Sequence, residues 1–99
     1  MHIEGFNWDA HNREKCRKHG VSILAIESLF RGTLMVLSDE THSQVEQRFR
    51  AIGKDHGGRQ IFIVFTIREM QSKTLVRPIS AIHMHAKEIA HYAKENPDL

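Results

Sequence analysis

Nine residues, 60–68, read QIFIVFTIR and constrain the fold more than any other part of the chain. Isoleucine, phenylalanine, valine and threonine fit a pleated, half-buried surface, so the segment is expected to be a strand. It is far short of the ~20 apolar residues a membrane span needs. A strand this apolar requires partners. Residues 74–82 supply one, and the intervening 69–73, EMQSK, has the length of a hairpin connection. Residues 47–52 supply another across the turn KDHGG at 54–58, and 34–37 is a shorter candidate. Residues 38–42 read as a polar turn.

The remaining segments have helical character. Asp9 is placed to cap a polar helix that runs to Lys18, with Gly20 at the usual C-terminal glycine position. Asn12, Cys16 and His19 share one face of that helix. Ser22 can cap a second helix that runs to Phe30 and ends at Gly32. Its Ile23, Ala25, Ile26, Leu29 and Phe30 form one apolar arc. A third helix is expected over 85–95, with Ile89, Ala90, Tyr92 and Ala93 on one side and core packing for Tyr92. The resulting expectation is an α+β chain: a four-stranded antiparallel sheet, two N-terminal helices and one C-terminal helix, the helices on one face.

Ninety-nine residues with 40% hydrophobic and 26% charged side chains suit one domain, here from about Phe6 to Glu95. The lone Cys16 excludes an internal disulfide and fits a reducing cytoplasm. The opening MHIEGFNWD lacks the basic stretch and apolar core of a secretory signal. Net charge is +2 with eight histidines outside the count, which permits a nucleic-acid partner without demanding one.

Strand parity sharpens this. With loops at 54–58 and 69–73, Arg50 is expected opposite Phe62 and Phe62 opposite Ser80, with Arg48 opposite Val64. Glu46, Arg48, Arg50, Thr66, Arg68, Ser80 and Ile82 then share one face. The other carries Phe49, Ala51, Ile61, Ile63, Phe65, Ile67, Leu75 and Ile79, with Arg77 as its one exception. Guanidinium groups converging on a sheet face match a polyanion, since each offers a fork of donors to phosphate. The competing reading is a solvated face whose charges serve solubility. Histidines raise a metal reading through Cys16, His19, His83, His85 and His91, but neither H-E-x-x-H nor a paired C-x-x-C occurs. No metal or cofactor is expected.

Several short motifs occur in a definite order. They are Phe6, Trp8 and Asp9 as F-x-W-D; Lys18–Val21 as K-H-G-V; His42-Ser43 with Glu46 and Arg48; Ile52-Gly53; Gly58-Arg59; Thr66 with Arg68; and Arg77–Ala81 as R-P-I-S-A. As a set they resemble the BrnT family of type II toxin–antitoxin toxins, over nearly the whole chain. The resemblance implies one BrnT-like domain over residues 1–99 with a RelE-like fold, and RNA cleavage without a metal that inhibits translation and growth. It also implies a BrnA-type antitoxin whose DNA-binding segment brings operator DNA. There is one departure. The family reads S-A-R where this chain has Ser80-Ala81-Ile82, so a cation is missing from the parity-defined cationic face.

RNA carries its own nucleophile, the 2′-OH. Cleavage needs a base for that proton, cations for the developing phosphorane charge and an acid for the 5′-oxygen. With the resemblance, His19 and Glu46 are the candidate proton-transfer groups. Arg48 and Arg68 are the candidate phosphate ligands, and Lys18, Arg50 and Ser80 the substrate-binding groups. The alternatives are a catalytically attenuated antitoxin-binding module, with Ile82 as the mark of lost chemistry, and a plain nucleic-acid-binding protein.

Overall fold

The computed structural model describes residues 2–39 and 46–95, and only the backbone at 38, 39, 92, 93 and 95. The elements run β1 (Gly5–Phe6), α1 (Ala10–Arg17), α2 (Ile23–Leu29), β2 (Leu34–Asp39), β3 (Arg48–Lys54), β4 (Gln60–Met70), β5 (Lys73–His83) and α3 (Ala86–Glu95). Strands β2 to β5 form the expected antiparallel meander, but the sheet has five strands in the order β1-β5-β4-β3-β2. The extra strand, β1, runs parallel to β5. The four-stranded antiparallel expectation is therefore corrected to a five-stranded mixed sheet. Two residues carry no alternation to read. Flanking backbone bonds hold β1 in place, from Glu4 N–H to the Thr74 carbonyl and from Asn7 N–H to the Val76 carbonyl, each 2.8 Å.

Just after β1 the chain is tied to β5 by side chains. Asp9 and Asn12 form a reciprocal cap on α1, Asp9 Oδ1 accepting from Asn12 N–H at 2.9 Å and Asn12 Oδ1 from Asp9 N–H at 2.7 Å. Asn12 is buried, and its Nδ2 donates to the carbonyls of Asn7 and Pro78. Arg77 donates through Nη1 to Asn7 Oδ1 at 2.8 Å and through Nη2 to Asp9 Oδ2 at 2.7 Å. The Asn12 backbone bond and then the Arg77 guanidinium hold the Asp9 carboxyl below its ordinary value. A carboxyl lowered by folding stabilises above its unfolded pKa and loses that contribution as pH falls through the folded one. Acid titration of stability should therefore fall below about pH 4, and Asp9→Asn should flatten that limb. An unchanged acid limb in Asp9→Asn would count against the clamp.

The core lies between one sheet face and the first two helices. Cys16, Val21, Ile26 and Leu29 meet Ala51, Ile61, Ile63, Phe65, Val76 and Ala81. Burial pushes the Cys16 thiol up to about 11, so it is a neutral packing group rather than a nucleophile. Phe65 is the largest buried side chain. Phe30 meets it edge-on at 5.0 Å and Phe49 stacks on it at 5.5 Å. Gly53 lets α2 approach β3, since a Cβ there would stand 3.0 Å from Leu29 Cδ2. Among the described residues, none from α3 joins this core. Ile89 is half-buried and Ala90 exposed. The Tyr92 and Ala93 side chains lie outside the described residues. So do residues 40–42 of the expected polar turn, whose Ser38 and Asp39 instead end β2.

The register departs from expectation in two ways. The β3–β4 loop centres one residue later, because Asp55 Oδ1 gathers the N–H groups of Gly57 and Arg59. Arg50 therefore lies opposite Val64, and Arg48 opposite Thr66. The β4–β5 connection is a two-residue turn, Gln71-Ser72, both at positive φ. The pairing then breaks at Val64/Phe65, where Val64 faces Ser80 but Phe65 faces Pro78. Ile79 is the extra residue of a β-bulge, and Pro78 sits where such irregularity tolerates it. Beyond the bulge the alternation of β5 inverts. Val76 and Pro78 enter the core, the places expected for Leu75 and Ile79, and Arg77 moves to the face opposite the helices.

Candidate active site

Away from the core, paired positions of β3, β4 and β5 form rungs about 6.6 Å apart. Arg48, Thr66 and Arg77 make one rung, and Arg50, Val64 and Ser80 the next. Ile52, Phe62 and Ile82 make a third. A cleft of about 330 Å³ opens across this face, lined by Lys15, Arg48, Arg50, Phe62, Val64, Ile79 and Ser80. Consecutive strand residues normally point to opposite faces. Ile79 and Ser80 share the cleft because of the bulge.

Three cations meet here from two elements. Arg48 and Arg50 come from β3, and Lys15 from α1, which lies beside β5 and is tied there by Asn12. Among the described residues Arg50 Nε is buried with no hydrogen-bond partner, and so is Thr66 Oγ1 on the neighbouring rung. A buried donor on a guanidinium without an acceptor is costly. An anion entering the cleft would relieve that cost.

The sequence-derived candidates divide into three groups. Arg48, Arg50 and Ser80 line one cleft. Glu46 and Arg68 pair with each other, Arg68 Nε donating to Glu46 Oε2 at 2.8 Å and Nη2 to Oε1 at 3.2 Å. Arg68 is two positions along β4 from Thr66, so the pair occupies the rung next to Arg48. Lys18 and His19 lie exposed in the turn after α1. Neither lines the cleft. His19 is exposed, whereas Cys16 is buried.

Sequence reasoning missed Lys15, and its one signal was position, three residues after the buried Asn12. It also missed Arg77 as a member of this face. Arg77 carries Asn7 and Asp9, so it acts as a clamp between the sheet and the start of α1. Ile82 does fall on the cationic face, opposite Phe62. Among the described residues no three His, Cys, Asp or Glu side chains are grouped to hold a metal ion. No helix among them is long and apolar enough to cross a membrane.

The family model for the ribonuclease toxin BrnT of type II toxin–antitoxin systems matches residues 8–88. The chain belongs to the BrnT family. The match takes in α1, the whole β2–β5 meander and every residue lining the cleft. No curated protein matches the chain. Membership makes this a ribonuclease toxin by family, with RNA as the class of target and an antitoxin as partner.

Proposed function

We propose that this BrnT family member cleaves RNA at the Lys15–Arg48–Arg50 cleft without a metal, and so inhibits translation and growth from the cytoplasm. The observation that carries the reading is the buried, unpartnered Arg50 Nε beside two further cations. In the reaction the 2′-oxygen attacks the adjacent phosphorus and the bond to the 5′-oxygen breaks. The products are a 2′,3′-cyclic phosphate and a free 5′-hydroxyl. Arg48, Arg50 and Lys15 stabilise the charge on the phosphorane oxygens. Arg68 positions Glu46, which takes the 2′-OH proton. His19, in the turn after α1, returns a proton to the leaving oxygen. Lys18 and Arg68 attract the flanking backbone, and Ser80 orients the phosphate.

The partner in this reading is a BrnA-type antitoxin with a DNA-binding segment, and operator DNA is reached only through it. A second reading has one observation in its favour. Ile82 completes an apolar rung with Ile52 and Phe62 where the resemblance expects a cation, as an attenuated, antitoxin-binding chain would.

RNA degradation in EDTA by the chain and by an Ile82→Arg variant tests the proposal. Both should cut, and His19→Ala should slow cutting by about 10²–10⁴. Cleavage by the Ile82→Arg chain alone would favour the attenuated module. Silence from both would remove the ribonuclease reading.

A further inference from the structure

We propose that Asn12 is a positioning residue for the cleft: its buried amide fixes α1 on β5 in one register and so sets Lys15 beside Arg48 and Arg50. This rests on the reading of the cleft as the RNA site and adds a residue that itself touches no substrate.

α1 is a short polar helix with little to fix it. Its eight residues are too few for a helix that is stable alone. Only Asn12 and Cys16 among them are buried. Cys16 packs in the core, and apolar contact is non-directional. It holds the helix down without setting where along β5 the helix sits. Lys15, which lines the cleft, depends on that placement. A slide of one residue along the helix axis is about 1.5 Å. Misplacements of about 1 Å already cost a positioned group much of its effect.

Asn12 supplies the missing direction. Just past β1, Asn7 N–H donates to the Val76 carbonyl at 2.8 Å. Successive carbonyls of a strand point to opposite edges, so the next one on this edge of β5 belongs to Pro78. The Asn12 side chain takes it, Nδ2 donating at 2.9 Å. The same nitrogen donates to the Asn7 carbonyl at 3.0 Å, and Oδ1 accepts from Asp9 N–H at 2.7 Å. Pro78 directly precedes Ile79 and Ser80, the two β5 residues that line the cleft. One amide thus ties the helix that brings Lys15 to the strand segment that brings Ile79 and Ser80. A buried amide costs stability unless it is bonded, and a fully bonded one fixes geometry. Arg77 backs the tie through Asn7 and Asp9.

The test is a double-mutant cycle between Asn12 and Lys15. It is read in RNA cleavage, in binding of a fluorescein-labelled thymidine octadeoxynucleotide and in thermal unfolding. The octamer has no 2′-OH, so it reports on the cleft whether or not the chain cuts. Asn12→Ala should lower cleavage by about 10²-fold and weaken octamer binding. In the Lys15→Ala background it should cost less than about 3-fold in either readout, because residues that act through one another are not additive. The fall in melting temperature should be the same in both backgrounds, since the bonds of Asn12 do not involve Lys15. Equal losses of function in the two backgrounds would make Asn12 a structural tie only and overturn the proposal. So would a Lys15→Ala chain that matches wild type in the deciding readout. Where RNA is cut, the cleavage cycle decides. Where none is cut, the ribonuclease reading fails and the binding cycle decides. If Asn12→Ala does not fold, Arg77→Lys is read in its place by the same criterion, since it keeps the charge but loses the two-point hold on Asn7 and Asp9.

Discussion

Arg50→Ala is expected to lower RNA cleavage by about 10²–10³, the usual cost of removing one preorganised donor from a developing oxyanion. The fold should survive the change, and that combination is diagnostic. Arg50 Nε is buried without a partner, so deleting the guanidinium removes an unfavourable group from the native state. Thermal unfolding should occur at the same temperature or a higher one. Stability held or gained while activity falls marks a residue kept for chemistry rather than for folding. Arg50→Lys should recover little, because a point charge does not reproduce the guanidinium fork. Wild-type cleavage by folded Arg50→Ala would place the chemistry elsewhere on the molecule.

Phe65→Ala should have the opposite signature, losing about 3–5 kcal/mol of stability. Phe65 is fully buried at the centre of an aromatic chain, with Phe30 at 5.0 Å, Phe49 at 5.5 Å, and Phe6 meeting Phe30 at 5.7 Å. Truncation leaves a cavity in the core and strips two ring partners of their contact. For a domain of this size the loss corresponds to a fall of about 12 °C or more in melting temperature. It is also comparable to the whole stability of a marginal domain. Denaturant titration gives the number directly, and a loss below 1 kcal/mol would mean the core is not organised around this ring.

The cationic face was legible in the sequence because parity is forgiving. The β3–β4 register was misplaced by two positions, and a slip of two keeps every side chain on its own face. Arg48, Arg50 and Ser80 were therefore grouped correctly even though their cross-strand partners were not. The capped helix starts at Asp9 and Ser22 were legible for a local reason, since a short side-chain acceptor before a helical run is a signal in itself. Three features were not legible. β1 has only two residues. The Gln71-Ser72 turn places two non-glycine residues at positive φ, against the usual Asn-Gly preference of such turns. The bulge at Ile79 is marked in the sequence by Pro78 alone, and it moved Arg77 from the apolar to the cationic face. Lys15 needed tertiary information, because only the docking of α1 beside β5 brings it to Arg48 and Arg50.

The cleft draws on α1, β3, β4 and β5, and its last wall, Ile79-Ser80, comes from the final strand. A chain still being synthesised, with β5 inside the ribosome, has both arginines and the lysine but no cleft to hold them around a phosphate. The bulge that turns Ile79 to the cleft forms only as β5 pairs with β4. The cleft is thus withheld from the nascent chain by topology and closes around an anion only after β5 has left the ribosome and paired with β4.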